Sequence, residues 1–331
     1  MHAMPTAAAF RTSAELFAPI ARDLEAVERI FRQTLETTQP GVARLVNHLA
    51  HYRGKRLRPA LLLLTAKACG GVHPAHHTLA AVVEMIHTAT LVHDDVLDDA
   101  TVRRHASTIN AGWGNQASIL LGDWLFTHAF HLTSSVDARA CRLIGEATNR
   151  LCAGELHQIC ERGNLDLSEE AYFDIIDGKT AELTACCCRL GALYAGASEE
   201  SVEQLARYGR FLGLAFQIAD DLLDLIGEER AAGKSLGTDL HQQKLTLPII
   251  WHLAQAPADR ADRLRSLLES PGNHKREKLA PELEAHGAIA YARGRAEDFA
   301  ARAAAELACL PSSFCQTILE HLTERVVHRD C

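Results

Sequence analysis

The chain contains no proline between Pro74 and Pro248, and this restricts it to folds built from long helices. Proline removes a backbone donor and breaks helices, so its absence over this stretch permits helices of many turns. Aromatic residues make up only 5% of the 331 residues, while Ala, Leu, Glu and Arg, all strong helix formers, dominate. No strand-like alternation of apolar and polar residues persists. The sequence therefore predicts an all-α fold.

Apolar residues recur at helical spacing in several long segments, of which 78–98 is the clearest. Clusters of Gly, Pro, Asn and Ser predict the breaks between helices. With 47% hydrophobic residues and no obvious linker, we expect a single domain over 1–331, a bundle of about ten or more helices. The other predicted helices are 15–36, 115–135, 137–161, 169–197, 201–226 and 243–256, and the predicted breaks are 70–74, 104–115, 162–168, 227–237 and 269–273.

Charge and cysteine content exclude several classes of protein. A net charge of -8 disfavours a nucleic-acid-binding role. None of the ten cysteines forms a CxxC pair, which is typical of a reduced, cytoplasmic protein. The N-terminus lacks the basic and apolar regions of a secretory signal. No apolar run reaches about 18 residues, so we expect no transmembrane segment.

Two stretches of the chain, LVHDDVLDD and QIADDLLDL, each place three aspartates in a DDxxD pattern within an apolar helix. Residues four apart share a helix face, with Cβ atoms about 5–6 Å apart, so the first and last aspartates of each motif point together. A solvated acidic face would explain one such motif, but two copies favour two binding sites that face one another. The aspartates are Asp94, Asp95 and Asp98 in the first motif and Asp220, Asp221 and Asp224 in the second.

Carboxylates in such clusters raise one another's pKa, whereas a divalent cation reverses the sign of that interaction. All-oxygen ligands suit Mg²⁺, which retains several waters and favours sites that substrate phosphates complete. Both motifs are therefore predicted to hold magnesium together with a phosphorylated substrate.

Basic residues that could bind the phosphates occur in three further sets. A basic run is usually a solvated surface, but three sets beside two acidic motifs indicate anion binding. The GK dipeptides are not nucleotide-binding P-loops, because the first glycine of GxxxxGK[ST] is missing and neither dipeptide follows a strand. The sets are RGKRLRP (53–59), Arg103 with Arg104, and the lysines of DGKT (177–180), AGKSLGTD (232–239) and HQQKLTLP (241–248).

These motifs, in this order, resemble those of the trans-type (head-to-tail) polyprenyl diphosphate synthases. The resemblance extends over nearly the whole chain, from FAPIARDLEAVE to ERVVHRD. It implies an all-α isoprenoid synthase bundle around a deep central cavity, about three Mg²⁺ ions bound with the substrate diphosphate, and a homodimer. Two positions depart from the family pattern: Arg53 replaces a glycine before Lys55, and QQK replaces EGK at Lys244. The motifs that carry the resemblance are GKRLRP, IHTATLVHDDVLDDATVRR, GNQASILLGDW, GKTAEL, FQIADDLLD and GKSLGTDLHQQKLTLP.

The resemblance also implies a role for each of these residues. The first aspartate motif would bind Mg²⁺ and an allylic diphosphate, and the second a further Mg²⁺. Isopentenyl diphosphate would be bound by Lys55, Arg58, His87 and Arg104. The allylic diphosphate would be bound by Arg103, Lys179, Lys234 and Lys244. The predicted catalytic residues are Lys179, Thr180 and Gln217, the last two beside the reacting carbons.

We predict different roles for the two histidines near the first motif, His87 and His93. A lone histidine on an apolar helix face is usually a core residue, and only the family pattern favours substrate contact for His87. His93 has no such support and is predicted to be structural.

The implied reaction condenses isopentenyl diphosphate with farnesyl or geranylgeranyl diphosphate into an all-trans polyprenyl diphosphate. The allylic diphosphate leaves, the isopentenyl double bond attacks the carbocation, and a proton is lost to the released diphosphate. Charge stabilisation of the leaving group in a water-poor cavity would supply the catalysis. No side-chain general base is required.

The helix before the first motif predicts the length of the product. Each turn rises about 5.4 Å, so Thr90, Ala89 and Ile86 would line the growing chain. Ala89 and Thr90 are small where short-chain members have bulky aromatics, which favours a product longer than farnesyl. The phrase IHTATLVHDDV resembles long-chain members that make quinone side chains, such as octaprenyl diphosphate synthase. We therefore predict a product of octaprenyl length (C40), with geranylgeranyl, hexaprenyl, solanesyl and decaprenyl products as alternatives.

Three other functions fit parts of the sequence. An HD-type metal-dependent phosphohydrolase could use HDD at 93–95 with His76 and His77, but it leaves the second motif and the lysines unexplained. A terpene cyclase shares the fold and the first motif, but it has no isopentenyl diphosphate to bind. A non-enzymatic regulatory subunit would be expected to have broken aspartate motifs, and both motifs are complete.

Overall fold

The computed structural model describes residues 13–52, 54–227, 236–270 and 275–327. The chain divides into two compact units, each built from separate stretches of sequence. Unit 1 comprises Met1–Thr148, Leu183–Gly209 and Glu306–Leu322, and unit 2 comprises Asn149–Glu182, Arg210–Ala305 and Thr323–Cys331. A single domain over 1–331 stays a prediction.

The first half of the chain is helical apart from one small hairpin. Pro19 interrupts the predicted helix 15–36, which is instead two helices joined by a 3₁₀ turn at Ala18–Ile20. A second 3₁₀ turn covers Leu49–Tyr52. The helices are α1 (Ser13–Phe17), α2 (Ala21–Thr34), α3 (Pro40–His48), α4 (Leu57–Ala68), α5 (Pro74–Leu97), α6 (Ile109–Trp113) and α7 (Asn115–Ser134).

The remaining helices agree with most of the predicted segments. A π-helical turn, Asp177–Ala181, joins two helices where the sequence predicts one, and a 3₁₀ turn covers Leu307–Cys309. The helices are α8 (Ala138–Cys160), α9 (Glu169–Ile176), α10 (Glu182–Tyr194), α11 (Glu199–Ile226), α12 (Thr238–His241), α13 (Leu247–Gln255), α14 (Ala258–Glu269), α15 (Lys275–Ala285), α16 (Ala288–Glu306) and α17 (Phe314–Val327).

The two strands form an antiparallel hairpin that the sequence does not predict. Strand β1 (Val102–Arg103) pairs with β2 (Ala106–Ser107) just after the first aspartate motif. Arg104 and His105 between them have positive φ, which forms the tight turn. The hairpin therefore reverses the chain immediately after α5.

Helix α5 is the central element of unit 1. Pro74 occupies its first turn, where a missing N–H costs nothing, and His73 and His76 form a capping box. Apolar side chains surround the middle of the helix, and they pack against α2, α4 and α7. Such a helix is buried on all sides. Its C-terminal turn therefore presents the first aspartate motif from a rigid core.

No helix in the described ranges is both long and apolar enough to cross a membrane.

Candidate functional site

The first aspartate motif lies at the C-terminal end of α5. Asp94 and Asp95 are in its last turn, and Asp98 is its C-cap, with its N–H donating to the carbonyl of Asp94 over 2.8 Å. Asp94 and Asp98 are half-buried. A helix C-terminus carries a partial negative charge, so carboxylates here are unfavourable until a cation joins them.

Asp95 is fully buried, and both of its carboxylate oxygens accept hydrogen bonds. The Tyr52 hydroxyl donates to Oδ2 over 2.5 Å, and Nε of Arg103 donates to Oδ1 over 2.7 Å. Burial raises the pKa of Asp95, while Arg103 and the hydrogen bond from Tyr52 act in the opposite direction. The carboxylate is therefore fixed in orientation and retains further lone pairs.

Arg58 and His87, both predicted to bind isopentenyl diphosphate, are in contact. Nη1 of Arg58 lies 3.2 Å from Nε2 of His87. Since arginine can only donate, this nitrogen of His87 accepts, and the ring proton is on Nδ1. Burial lowers the pKa of His87 well below its usual value, and the neighbouring arginines lower it further, so the ring is neutral near pH 7. Nε of Arg58 is buried and has no hydrogen-bond partner among the described residues.

Arg104 is held beside the same group of cations. Its Nη1 donates to the carbonyl oxygen of Tyr52, and burial and then Arg103 lower its pKa. A Cβ atom at position 54 would lie only 2.5 Å from Nη2 of Arg104, so Gly54 makes this approach possible. Lys55, the next residue, is exposed. Clustered cations of this kind attract a multiply charged anion such as a diphosphate.

The residues predicted to set product length lie on the inner part of α5. Ile86 and Ala89 have no exposed surface, and Thr90 is half-buried with its hydroxyl donating to the carbonyl of His87. Their role in chain length stays a prediction. Nε2 of His93 donates to the carbonyl of Ile119 over 3.1 Å, and this hydrogen bond joins α5 to α7.

The second aspartate motif lies in unit 2, near the end of α11. Asp221 is buried, and its arrangement repeats that of Asp95 in unit 1. The Tyr172 hydroxyl donates to Oδ2 over 2.7 Å, and Nε2 of Gln217 donates to Oδ1 over 2.8 Å. Burial raises the pKa of Asp221 to about 6. In each motif, then, a tyrosine hydroxyl fixes the middle aspartate.

Asp224 connects the second motif to a short helix that follows the undescribed residues 228–235. Its Oδ1 accepts from the Thr238 hydroxyl over 3.0 Å, and its Oδ2 accepts from the N–H of Asp239 over 3.2 Å. Burial, and then Asp221 and Asp224, raise the pKa of Asp239 to about 8. Asp239 therefore belongs to the acidic cluster of Asp220, Asp221 and Asp224, although the sequence did not single it out.

Lys179 and Thr180 lie on the π-helical turn. A Cβ atom on Gly154 would lie only 2.5 Å from the backbone nitrogen of Lys179. A Cβ atom on Gly178 would lie 2.9 Å from the carbonyl oxygen of Arg150. Two glycines therefore let this turn pack directly against the backbone of α8. π-helical turns occur frequently at functional sites.

The polar side chains of this turn contact the second motif and α8. The Thr180 hydroxyl donates to Oε1 of Gln217 over 2.6 Å, and Gln217 in turn contacts Asp221. Nζ of Lys179 lies 2.9 Å from Oε2 of Glu155 and 2.7 Å from Oε1 of Gln158. The structure thus links Thr180 and Gln217 to the second motif. Lys179 contacts α8, and its charge lowers the pKa of Asp221 and Asp239.

Of the two remaining predicted lysines, Lys244 lies close to Asp239. Lys244 is buried, and its N–H donates to the carbonyl of Asp239 over 2.8 Å. Its charge lowers the pKa of Asp239, although burial dominates. Lys234 lies outside the described residues.

The donor sets of both motifs fit magnesium. They are made of carboxylates, which Mg²⁺ prefers, and they lie beside cations that can bind phosphate oxygens. Burial, and beyond it the neighbouring aspartates, raise the pKa of Asp221 and Asp239, so the ionised form of the second cluster is unfavourable in these surroundings. A divalent cation would supply the missing charge.

The sequence missed three residues that build the site: Tyr52, Tyr172 and Asp239. Asp239 stands in the GKSLGTD motif, so its acidic side chain near two conspicuous lysines was a usable indication. The sequence gives no such indication for the tyrosines, because each contacts an aspartate that is distant along the chain. The separation is 43 residues for Tyr52 and 49 residues for Tyr172.

The chain is similar to known proteins over almost its whole length. Residues 39–284 match the family model described as Polyprenyl synthetase. The octaprenyl diphosphate synthase of Escherichia coli (strain K12) is 36% identical over 94% of this chain and 97% of its own. The nonaprenyl diphosphate synthase of Mycobacterium tuberculosis is 38% identical over 92% and 91%. The crystal structure of a polyprenyl synthase from Caulobacter crescentus CB15, complexed with calcium and isoprenyl diphosphate, gives a TM-score of 0.90 at 34% identity, covering 97% of this chain and 98% of that one.

Proposed function

The chain belongs to the polyprenyl synthetase family, and on that basis we propose that it condenses isopentenyl diphosphate with an allylic diphosphate into a long all-trans polyprenyl diphosphate. The observation that carries the proposal is that both DDxxD motifs are complete and that the middle aspartate of each, Asp95 and Asp221, is buried and oriented by a tyrosine. A regulatory subunit would have no need of two such supported clusters. The HD phosphohydrolase would leave the cluster around Asp221 without a role.

We propose that the six motif aspartates hold about three magnesium ions together with the substrate diphosphate, since Mg²⁺ binds through a few carboxylates and completes its shell with phosphate oxygens and water. Magnesium bound by these carboxylates would neutralise the diphosphate and stabilise it as a leaving group. The hydrogen bonds to Asp95, Asp221 and Asp224 set these carboxylates in place before the ions arrive, which reduces the cost of binding.

The cations are proposed to divide between the two substrates. Arg58, Arg104, His87 and Lys55 would bind isopentenyl diphosphate, with the neutral His87 donating from Nδ1 and Arg58 from its unpartnered Nε. Arg103, Lys179, Lys234 and Lys244 would bind the allylic diphosphate. Both groups orient a diphosphate while leaving its hydrocarbon in apolar surroundings.

Thr180 and Gln217 are proposed to stabilise the allylic cation. The hydrogen bond from Thr180 to Gln217, and that from Gln217 to Asp221, fix the direction in which each oxygen points. Fixed dipoles aimed at a developing charge stabilise it without reorganisation. The proton would be lost to the released diphosphate.

A product assay tests the proposal directly. Purified protein with Mg²⁺, labelled isopentenyl diphosphate and farnesyl or geranylgeranyl diphosphate should give a ladder of polyprenyl products that ends at one length. EDTA should abolish it. Cyclised products would favour a terpene cyclase, and no elongation from any allylic starter would refute the proposal.

We propose a product of octaprenyl length, because relatives named as octaprenyl and nonaprenyl synthases cover almost the whole chain. Ala89 gives the test of where the hydrocarbon lies. Ala89→Phe should shorten the product, whereas Ala89→Ser, which keeps the residue small, should not. An unchanged product from the Phe variant would place the chain elsewhere. A ladder that ends at geranylgeranyl in the unmodified protein would refute the long product alone.

A homodimer is proposed from an apolar face of unit 1. Leu120 is 68% exposed, and Ile119, Trp113 and Phe130 are also exposed on α6 and α7. Large apolar side chains exposed on two helices that contact one another favour a protein–protein interface. Leu120→Glu should give a monomer by light scattering, and an unchanged dimer would place the interface elsewhere.

A cytoplasmic location stays a prediction, with which the nine free cysteines of the described residues agree.

A further inference from the structure

A cluster of two histidines and a glutamate lies in unit 2, apart from every residue proposed above for catalysis. His252 is on α13, Glu282 is on α15, and His286 follows α15. One ligand atom from each of the three lies within 4.8 Å of the other two. His252 is only 1% exposed, and the other two are half-buried.

The buried Nε2 atom of His252 has no hydrogen-bond partner among the described residues. It lies 4.0 Å from Oε1 of Glu282, which is too far for a hydrogen bond, and its ring meets that of His286 edge to face at 5.1 Å. Buried polar atoms are almost always paired, so an unpaired one that points into a group of possible ligands calls for an explanation.

His286 already has the tautomer that a metal ligand needs. Its Nδ1 lies 2.7 Å from the carbonyl oxygen of Glu282, so this nitrogen carries the proton and Nε2 carries the lone pair. Metal-binding histidines are commonly oriented in this way by a backbone carbonyl. Nη1 of Arg260 donates to the same Nε2 atom. Arg260 is exposed at the start of α14, so its side chain can turn away into solvent.

The spacing is close to that of a metal site. Three atoms no more than 4.8 Å apart all lie within about 2.8 Å of one point, and zinc needs about 2.0–2.2 Å to nitrogen or oxygen. Small rotations of the side chains, which move each ligand atom towards the common point by less than about one ångström, would close the difference. Mixed imidazole and carboxylate ligands suit zinc and its neighbours, in contrast to the oxygen ligands of the aspartate motifs.

We propose that His252, Glu282 and His286 bind a transition metal of the zinc type, with water as the fourth ligand. The ion would join α13 to α15. It would stabilise unit 2 and would take no part in the transfer of prenyl groups. The inference is independent of the proposed function, because none of its three ligands belongs to the aspartate or cation sets.

Cobalt(II) in place of zinc gives a direct test. The full-length protein, with excess Mg²⁺ to occupy the aspartate motifs, should take up one Co²⁺ and show the visible absorption of a four-coordinate site, which Zn²⁺ then abolishes. His286→Ala and Glu282→Gln should each weaken Co²⁺ binding about 10–100-fold. His157→Ala is the matched control, because His157 on α8 lies 4.0 Å from Glu161, outside the cluster, and should not matter.

Arg260→Ala separates a lost ligand from a misfolded variant. Removing the cation that occupies the His286 lone pair should tighten Co²⁺ binding, which no unfolding effect can produce. Circular dichroism should show unchanged helix in all variants. The proposal is overturned if the unmodified protein shows no four-coordinate absorption, or if His286→Ala, Glu282→Gln and Arg260→Ala all bind Co²⁺ like the unmodified protein.

Discussion

Asp94 and Asp99 allow the sharpest comparison between an aspartate proposed to bind magnesium and a neighbour that is not. Asp99 is exposed and has a φ of 49°, a conformation that asparagine tolerates well. Asp94→Asn removes a negative ligand and should lower the turnover number about 100-fold or more, since it weakens the stabilisation of the leaving group. Asp99→Asn should leave it unchanged. The measurement is the initial rate of labelled isopentenyl diphosphate incorporation, and equal loss in both variants would contradict the assignment.

Tyr172 tests whether the hydroxyl on the middle aspartate matters. Tyr172→Phe leaves the ring in place but removes the donor to Asp221, so we expect a loss of about 10–100-fold in activity that higher Mg²⁺ partly restores. Tyr208 is the control, because its buried hydroxyl donates to the carbonyl of Leu319, away from any carboxylate. Tyr208→Phe should lower stability without changing the Mg²⁺ dependence. A Tyr172→Phe enzyme with an unchanged Mg²⁺ requirement would show that the hydroxyl is only a packing group.

At this scale the sequence predicted the aspartates but not what holds them. DDxxD is a local pattern, and i, i+4 spacing alone places Asp94 with Asp98. Tyr52 and Tyr172 reach their aspartates only through the tertiary fold. Nothing in the local sequence around either tyrosine distinguishes it from the other three in the chain.

The π-helical turn can be tested at the scale of one element. Gly154→Ala places a Cβ atom 2.5 Å from the N–H of Lys179, so the turn must shift. We expect a loss of about 1–3 kcal/mol in the free energy of unfolding, together with a lower turnover number as Lys179 moves.

Gly145 provides the control on the same helix. A Cβ there would meet nothing within 4 Å, so Gly145→Ala should be neutral or stabilise α8 by roughly 0.5–1 kcal/mol. Chemical denaturation and the product assay measure both effects. If the two alanine variants behave alike, close packing of α8 against the turn does not position Lys179.

The helices themselves were largely predictable, and the exceptions have specific causes. The segment 201–226 is seen as Glu199–Ile226, and 115–135 as Asn115–Ser134. Pro19 splits the first helix, which a local rule could have predicted. The π turn at Asp177–Ala181 could not be predicted, because it depends on a backbone contact with Gly154, which is distant in sequence. Helical periodicity identifies a helix but not an extra residue within one of its turns.

For the whole molecule, stability should depend on pH through the acidic cluster of unit 2. Burial, and then the charges of Asp221 and Asp224, raise the pKa of Asp239 to about 8. An aspartate in the unfolded chain has a pKa of about 3.9. Between these values the folded protein binds the proton and the unfolded chain does not. Asp239 alone should therefore lower the free energy of unfolding of the metal-free protein as pH rises, by at most about 1.4 kcal/mol per pH unit. Asp221, with a pKa raised to about 6, acts in the same direction over a narrower range.

Asp239→Asn removes the larger of these two contributions and keeps the size of the side chain. In EDTA, the variant should match the unmodified protein near about pH 4 and become progressively more stable than it towards about pH 8, because only the unmodified protein must take up a proton on folding in that range. Thermal unfolding at several pH values measures the difference. With Mg²⁺ and inorganic diphosphate, the unmodified protein should become the more stable of the two at high pH. The cation then binds the ionised carboxylate of Asp239, which the asparagine variant lacks. A difference in melting temperature that stays constant with pH would mean that Asp239 is ionised in the folded protein throughout, and that no cation is needed to balance the cluster.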